Sequence, residues 1–126
     1  MSTERYVFVY GTLRRGQSND ITRFKPSPCF VGDAVIAGQL YDLGLYPGAR
    51  LDGEGRVHGE VYAIAPELEA QLDVLEEVRP HPTGEYERQE RGVYVQGRRL
   101  NCLVYEIAFD RVRDAARLPT GDWVRR

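Results

Sequence analysis

Runs of apolar and β-branched residues predict at least four strands. Arg5–Tyr10 is apolar almost without interruption, as in a strand that is covered on both faces. Arg56–Ile64 alternates between two sets of side chains, which is typical of a strand with two different faces. Tyr86–Val95 and Arg98–Ala108 flank Gln96-Gly97, a pair that favours a hairpin turn. These segments predict a sheet whose strands are mostly linked by hairpins.

Glycine and proline divide the rest of the chain. Cys29–Leu43 is predicted as one long strand that bends at Gly32 or Gly38. Gly44–Gly55 contains four glycines and one proline, which predicts a long connection of the kind that often carries function. Val78–Gly84 contains two prolines and is predicted as a second loop.

Glu67–Glu77 has the clearest helical period. Leu68, Leu72 and Leu75 lie at positions i, i+4 and i+7 and form one apolar stripe. Pro66 stands where the first helical turn begins, a position that suits proline. We therefore predict one main helix that packs its leucines on the sheet.

Two shorter helices are predicted from weaker patterns. One follows the loop Gly11–Asn19, is capped by one of the last two residues of that loop (Ser18 or Asn19), and turns Ile21 and Phe24 inward. The other covers Arg111–Arg117 near the C-terminus. Several long strands with one or two helices predict a single α+β domain over residues 1–126.

The acidic residues of the main helix differ in their distance from the leucine stripe. Glu76 lies about 70° from the centre of the stripe, at its edge. Asp73 lies about 130° away and Glu77 about 170° away, on the opposite face. Glu67 and Glu69 lie roughly 90–110° away in the first turn, where they complement the helix dipole. Glu76 is therefore the acid that we expect to be half-buried.

A half-buried Glu76 in the last helical turn has a predictable acidity. Burial and the negative end of the helix dipole both disfavour the ionised carboxylate and so raise its pKa. A carboxyl with a raised pKa suits general acid/base catalysis near neutral pH. The alternative is a boundary carboxylate paired with a nearby arginine.

The loop that follows the first strand is a candidate ligand site. Gly11 can adopt a positive φ and lets a ligand approach the backbone. The N–H groups of Gly11, Thr12 and Leu13 could converge on an anion or a carbonyl oxygen, and Arg14 and Arg15 add positive charge. The loop has neither the Walker A nor the dinucleotide-binding spacing. The alternative is a strand that simply ends at a glycine turn.

Composition excludes several classes of protein. The 126 residues are 42% apolar and 29% charged, with a net charge of -2 that argues against a nucleic-acid-binding domain, although sixteen of the seventeen basic residues are arginine. No stretch approaches the roughly 18 apolar residues of a membrane span, and residues 1–5 lack the pattern of a signal peptide. We therefore predict a cytoplasmic protein that binds neither nucleic acid nor membrane.

The cysteines and histidines do not form a recognisable centre. Cys29 and Cys102 lie in apolar segments, which predicts buried free thiols, and their spacing indicates no metal site. The two histidines are His58, within a strand, and His81, between two prolines. A hydrolase with a serine or cysteine nucleophile is disfavoured because no Gly-x-Ser-x-Gly elbow is present.

Short motifs along nearly the whole chain match one family in order. Val9–Gly16 resembles the N-terminal signature of the gamma-glutamylcyclotransferase-like family, and Leu72–Glu76 resembles its helix motif, which ends in the catalytic acid/base. Tyr86-Glu87-Arg88 matches the Tyr-x-Arg that opens the following strand in that family. Further segments resemble its other strands, the loop after the second strand, and its C-terminus: Gly38–Gly44 with Tyr46–Gly48, His58–Tyr62 and Gly121–Trp123.

The resemblance implies a fold and a reaction. The fold is α+β, a small mixed, largely antiparallel β-barrel flanked by short helices. The reaction is an intramolecular aminolysis in which the α-amine of a gamma-glutamyl group attacks its own γ-carbonyl, releasing 5-oxoproline and an amine or amino acid. It needs no cofactor and no metal, and Glu76 is the implied general acid/base. The implied substrate-binding residues are Tyr10, Gly11, Thr12, Leu13, Tyr86 and Arg88.

Three points stay open at this level. Many members of the family have glycine after the catalytic acid, whereas this chain has Glu77, which could change the proton affinity of its neighbour or the substrates admitted. A binding module without catalysis on the same fold is the alternative function. The leaving group and the oligomeric state are not determined, and the loops Gly44–Gly55 and Arg79–Glu85 are the segments expected to select the leaving group.

Overall fold

A five-stranded sheet forms the centre of the computed structural model, which describes residues 5–78 and 83–126. The strand order is β2-β5-β1-β7-β6, with β1 parallel to β7 and every other pair antiparallel. The predicted Arg56–Ile64 strand is confirmed, and the predicted hairpin strands are confirmed to within one residue. The strands are β1 (Arg5–Val9), β2 (Cys29–Ala37), β5 (Arg56–Ile64), β6 (Tyr86–Val95) and β7 (Arg98–Ile107).

The central strand β1 is covered on both faces, as its continuous apolar run predicts. Val7 and Val9 pack into a core on one face together with the helix leucines. Phe8 and Tyr10 pack into a second core on the other face, which contains Trp123. Because β1 packs into both cores, its C-terminal end is held in place. The loop that follows β1 therefore begins at a fixed position.

A second, three-stranded antiparallel sheet covers the second core. It has the order β4-β3-β8 and consists of β3 (Gln39–Asp42), β4 (Pro47–Arg50) and β8 (Ala116–Leu118). The prediction of one strand from Cys29 to Leu43 is wrong, because Gly38 divides it between two sheets. Gly38 has φ +155°, and a Cβ there would lie 2.5 Å from the carbonyl oxygen of Arg50. Strands β4 and β8 were not predicted.

The two edge strands of the large sheet approach each other. A Cβ built on Gly32 of β2 would lie 2.7 Å from Cγ1 of Val95 in β6, so the sheet curls strongly. No backbone ladder joins β2 to β6 in the described part of the chain. The sheet-dominated α+β architecture is confirmed, whereas a closed barrel is not shown.

The main helix, α1 (Pro66–Leu75), begins at proline as predicted. Leu68 and Leu72 are fully buried, but Leu75 is 40% exposed and does not continue the buried stripe. Asp73, expected on the outer face, is only 5% exposed. The helix buries a second face against β6 and β7, where Arg88 and Tyr105 donate to this carboxylate. An analysis of one apolar stripe cannot detect such a face.

The minor helices also differ from expectation. After the first loop the chain forms a 3-10 turn, Ile21–Arg23, whose cap is Asp20 and not Ser18 or Asn19. Asp20 is the cap because its carboxylate accepts the Thr22 N–H at 2.9 Å. Near the C-terminus α2 spans Phe109–Val112, shorter than and displaced from the predicted helix.

Of three further local predictions, two are confirmed and one is wrong. Gln96 and Gly97 have φ values of 49° and 79°, which confirms the tight hairpin turn. Cys102 is buried as predicted, but Cys29 is exposed at the beginning of the edge strand β2. No helix within the described residues is long and apolar enough to cross a membrane.

Candidate active site

One cavity of about 350 Å³ lies where the loop after β1 meets the C-terminal end of α1. The β3–β4 connection and the start of β6 complete its wall. Six of the seven residues expected to act on substrate line this cavity, and Arg88 does not. The six are Tyr10, Gly11, Thr12, Leu13, Glu76 and Tyr86.

The loop after β1 presents unpaired backbone N–H groups. The carbonyl oxygens of Gly11, Thr12 and Leu13 each accept an N–H from farther along the loop, at 2.9–3.0 Å. The N–H groups of the same three residues donate to no acceptor within residues 5–78 and 83–126. Such a set of free donors is suited to an anion or a carbonyl oxygen. We call these three N–H groups the backbone cradle.

Gly11 is required for a different reason from the one expected. Its φ is not positive, but a Cβ there would lie 2.6 Å from Cγ and 2.8 Å from Cδ of Pro47. The glycine therefore allows the start of β4 to close against the loop. This contact holds the cradle on one side of the cavity.

The two arginines of the loop point elsewhere. Arg14 donates to Glu60 at 3.1 Å and to Asp122 at 2.8 Å, and the three side chains are 6–15% exposed. Arg15 lies over the ring of Phe30 at 4.9 Å. Neither lines the cavity, so the expected positive charge is absent from its described wall. The backbone cradle remains as a set of unpaired donors in that wall.

Glu76 is half-buried, as helix geometry predicts, and caps the end of α1. Three buried tyrosines are close enough for its charge to raise their pKa, beyond the larger effect of burial. All three hydroxyls donate to other acceptors: Tyr10 to the Tyr105 carbonyl at 2.7 Å, Tyr86 to the Pro47 carbonyl at 2.9 Å, and Tyr105 to Asp73 at 2.8 Å. The Glu76 carboxyl thus has no hydrogen-bond donor within the described residues.

An unpaired carboxyl in this setting binds its proton tightly. Burial raises the pKa of Glu76 to about 7, and the charges of Glu85 and Glu77 contribute further. The direction agrees with the sequence-based expectation. A group with this pKa can both accept and donate a proton near neutral pH.

Arg88 holds α1 in place. Its guanidinium donates to Asp73 and, at 2.6 Å, to Glu69, and Glu69 also accepts from Arg5 at 2.9 Å. Asp73 in turn accepts the hydroxyl of Tyr105, which lines the cavity. Arg88 is therefore a positioning residue for the helix that ends at Glu76.

Some lining residues were not singled out from the sequence, although two of them, Tyr46 and Glu85, lie in the loops expected to select the leaving group. Glu85 and Tyr46 face the cavity, and the Tyr46 hydroxyl donates to Glu85 at 2.5 Å, which together with burial raises the pKa of Tyr46 to about 12. Asn19 also lines it and donates its side-chain amide to the Thr12 hydroxyl at 3.1 Å. The available signal was position, since Glu85 precedes Tyr86 and Tyr46 lies in a matched loop motif.

Other candidate groups lie outside the site. His58 does not line the cavity, and His81 falls outside the described residues, as does most of the Arg79–Glu85 loop. Burial raises the pKa of the Cys102 thiol to about 11, which argues against a cysteine nucleophile there. Within residues 5–78 and 83–126, His, Cys, Asp and Glu side chains form no group of three or more that could hold a metal ion.

Replacement of Gly11 by alanine tests the close contact with Pro47. We expect Gly11→Ala to destabilise the fold by about 1–3 kcal/mol and to weaken ligand binding, since the added methyl overlaps the proline ring. Thermal unfolding and KM are the measurements. The double variant with Pro47→Ala removes the ring and should recover most of the loss; no recovery would show that this contact is not the cause.

A family model, a curated relative and a solved structure all relate this chain to the same family. Residues 7–125 match the model of the family described as "Gamma-glutamyl cyclotransferase, AIG2-like". The YtfP protein of Escherichia coli, called a gamma-glutamylcyclotransferase family protein, is 38% identical over 122 residues, which cover 95% of this chain and 96% of that one. Its solution structure superposes with a TM-score of 0.66, at 37% identity over 94% of this chain and 96% of that one.

Two further relatives extend the comparison. The crystal structure of a mouse AIG2-like protein gives a TM-score of 0.73 at 28% identity, covering 85% of this chain and 79% of the mouse chain. The gamma-L-glutamyl-butirosin B gamma-glutamyl cyclotransferase of Niallia circulans is 42% identical over 72 residues, 56% of this chain and 45% of its own length. The chain belongs to the gamma-glutamyl cyclotransferase, AIG2-like family.

Proposed function

We propose that the protein cyclises a gamma-glutamyl compound to 5-oxoproline and releases the free amine, with Glu76 as general acid/base. The observation that carries this proposal is the presence, in one cavity, of an unpaired carboxyl with a pKa of about 7 and an unpaired set of backbone donors. Family membership supports the reaction type. The Niallia circulans relative is also named as a gamma-glutamyl cyclotransferase, of gamma-L-glutamyl-butirosin B.

The backbone cradle binds the α-carboxylate of the glutamyl group. No Lys or Arg is among the cavity-lining residues that the structure describes, so the N–H groups of Gly11, Thr12 and Leu13 are the donors available to an anion. Tyr10 fixes the start of this loop from the core, and Tyr86 forms a wall of the cavity. Binding the α-carboxylate there leaves the α-ammonium free to approach Glu76.

Glu76 begins ionised and removes a proton from the α-ammonium. The freed amine attacks the γ-carbonyl, a five-membered ring closes, and the bond from the γ-carbon to the leaving nitrogen breaks. The α-nitrogen loses two protons in total and the leaving nitrogen gains two, so one carboxyl that accepts and returns protons balances the reaction. Because nucleophile and electrophile belong to one molecule, the protein mainly folds the substrate for attack, and no cofactor is required.

This role predicts a pH dependence. The base must be ionised, so kcat/KM should rise with pH through an apparent pKa near 7, the value for Glu76. In Glu77→Gln the midpoint should move to lower pH, because a neighbouring negative charge is removed. A pH–rate profile of both proteins checks this. The same midpoint in both, or activity that falls as pH rises through 7, would contradict the assignment.

The decisive experiment is a screen of gamma-glutamyl compounds for release of 5-oxoproline. The panel contains gamma-glutamyl amino acids and gamma-glutamylamines, with matched α-aspartyl compounds as controls that cannot close the same ring. We expect several turnovers per protein molecule on at least one gamma-glutamyl compound. Saturable binding of 5-oxoproline without turnover of any compound would favour the non-catalytic binding module. A cytoplasmic location is part of the same proposal.

A further inference from the structure

The charged side chains on the described part of the cavity wall have one sign. Glu76, Glu77 and Glu85 all line it, and no Lys or Arg does so within the described residues. Glu77 and Glu85 are close enough to raise the pKa of Glu76 through their charges. Glu77 is exposed and Glu85 is half-buried, so both can meet a ligand from solvent. We call Glu77 and Glu85 the acidic rim.

Glu77 occupies a backbone position that favours glycine. The chain leaves α1 with the Val78 N–H on the Asp73 carbonyl at 3.0 Å and the Glu77 N–H on the Val74 carbonyl at 3.1 Å. These two hydrogen bonds define a Schellman motif, whose penultimate residue is left-handed and is most often glycine. Glu77 indeed has φ 57°. The carboxylate is therefore present at the expense of helix-end stability.

Glu85 keeps one carboxylate oxygen available. Its Oε2 accepts the Tyr46 hydroxyl, and no donor to Oε1 occurs among residues 5–78 and 83–126. Arg111 is the described basic residue whose charge reaches this region, since it lowers the pKa of Tyr46 slightly against the larger raising effects. No ion pair within the described residues joins Arg111 to either member of the acidic rim.

The same mouth of the cavity also has an apolar part. Leu45 lines the cavity and is 89% exposed, and Leu75 lines it and is 40% exposed. Exposed leucines at the mouth of a polar cavity offer a surface for alkyl groups. The mouth thus combines methyl groups with two carboxylates. The unpaired Glu76 carboxyl, aimed into the same cavity, marks where the reacting end of a ligand lies.

We propose that the acidic rim binds a second ammonium group on the leaving amine, so that the preferred substrates are gamma-glutamyl derivatives of aliphatic diamines. The inference rests on the proposed cyclotransferase function and assigns its specificity to Glu77 and Glu85. The alkyl chain of the diamine lies on Leu45 and Leu75. A leaving amino acid is disfavoured, because its carboxylate would face the rim with no described cationic side chain to receive it.

Three matched substrates test the charge preference. Gamma-glutamyl derivatives of diaminobutane, pentylamine and aminopentanoate carry an ammonium, a methyl or a carboxylate at the same distance from the scissile bond. We expect kcat/KM to be about tenfold higher for the diaminobutane compound than for the pentylamine compound, and lowest for the aminopentanoate compound. The preference should shrink at high salt, because the rim is near solvent.

Variants assign the preference to the rim. Glu77→Gln/Glu85→Gln should reduce the ratio between diaminobutane and pentylamine compounds to about one. The ratio within one variant cancels any change in the basicity of Glu76, since that change affects both substrates. Glu87→Gln is the matched control, because Glu87 is exposed on β6 and does not line the cavity. That variant should keep the parental ratio.

A second variant tests whether a lost charge preference could result from a destabilised fold. Glu77→Gly supplies the residue that the left-handed position favours, and we expect its unfolding midpoint to rise by roughly 2–6 °C while the charge preference falls. A parental ratio near one, with 5-oxoproline released from all three compounds, overturns the inference and leaves the proposed function standing. Release from none of them, nor from any other gamma-glutamyl compound, overturns the proposed function as well.

Discussion

Glu76→Gln should lower kcat/KM for 5-oxoproline release by roughly 10²–10⁴-fold, the range that general acid/base groups contribute. The amide keeps the shape of the side chain and cannot accept the proton of the α-ammonium. Single-turnover assays with a gamma-glutamyl compound measure the effect.

The same variant should be more stable than the parent above neutral pH. The pKa of Glu76 is raised from 4.5 to about 7 in the folded protein, so the unfolded chain ionises first as pH rises. Stability is therefore lost between about pH 4.5 and 7, and above pH 7 the ionised carboxylate costs roughly 3 kcal/mol. Glutamine has no such cost. Unfolding in urea at pH 8 and pH 4 should show the gain only at pH 8.

A matched control separates this effect from general loss of charge. Glu67→Gln changes an exposed acid in the first turn of the same helix and should alter neither the rate nor the pH dependence of stability appreciably. Parental activity in Glu76→Gln would reject the acid/base role. Equal stability of parent and variant at pH 8 would reject the raised pKa.

Arg88→Met should produce the largest loss of stability. The change leaves Asp73 and Glu69, whose side chains are only 7% and 16% exposed, without their shared cation. Removing one partner of a buried pair costs about 3–5 kcal/mol, because the remaining charges stay buried and uncompensated. For a chain of this size we expect the thermal midpoint to fall by at least about 10 °C.

Two further variants show whether geometry or charge matters at this position. Arg88→Lys keeps the charge but cannot contact both carboxylates with one planar fork, so it should recover only part of the stability. Arg5→Met removes the other cationic partner of Glu69. Because the Arg5 side chain is 36% exposed, this change should cost no more than about 1 kcal/mol. If Arg88 binds substrate instead, Arg88→Met will raise KM strongly while the thermal midpoint stays at the parental value.

Local pattern predicts those elements whose residues make the same contacts all along their length. The continuous apolar run predicted β1, and the alternation of side chains predicted β5. Both predictions succeed because each face of these strands packs against the same kind of neighbour along its whole length. Gly38 was recognised as a bend, but its role in sending β3 to another sheet depends on the carbonyl of Arg50, twelve residues away. β8 is three residues long and has no periodicity to detect.

In the candidate site, too, local patterns predict some residues, and contacts between distant parts of the chain decide others. The angle from the leucine stripe selects Glu76, and the structure places it at the cavity. Asp73 was assigned to the outer face because its partners, Arg88 and Tyr105, come from strands that the helix sequence does not reveal. Arg14 was expected near the ligand because it follows the loop, yet a buried pair of carboxylates from elsewhere in the chain holds it. Pairings across long sequence distances decide these three cases.

The hydrogen bonds of Tyr10 affect how the backbone cradle binds a ligand. Its hydroxyl donates to the Tyr105 carbonyl and accepts the Ala49 N–H at 3.2 Å, so one phenol joins both sheets directly before the loop begins. The entropy of ordering that loop is therefore lost during folding and does not have to be lost again when a substrate arrives. Amide exchange at the hydrogen-bonded loop positions Arg14, Gln17 and Asn19 should accordingly follow global unfolding, whereas the unpaired cradle N–H groups should gain protection when a ligand binds.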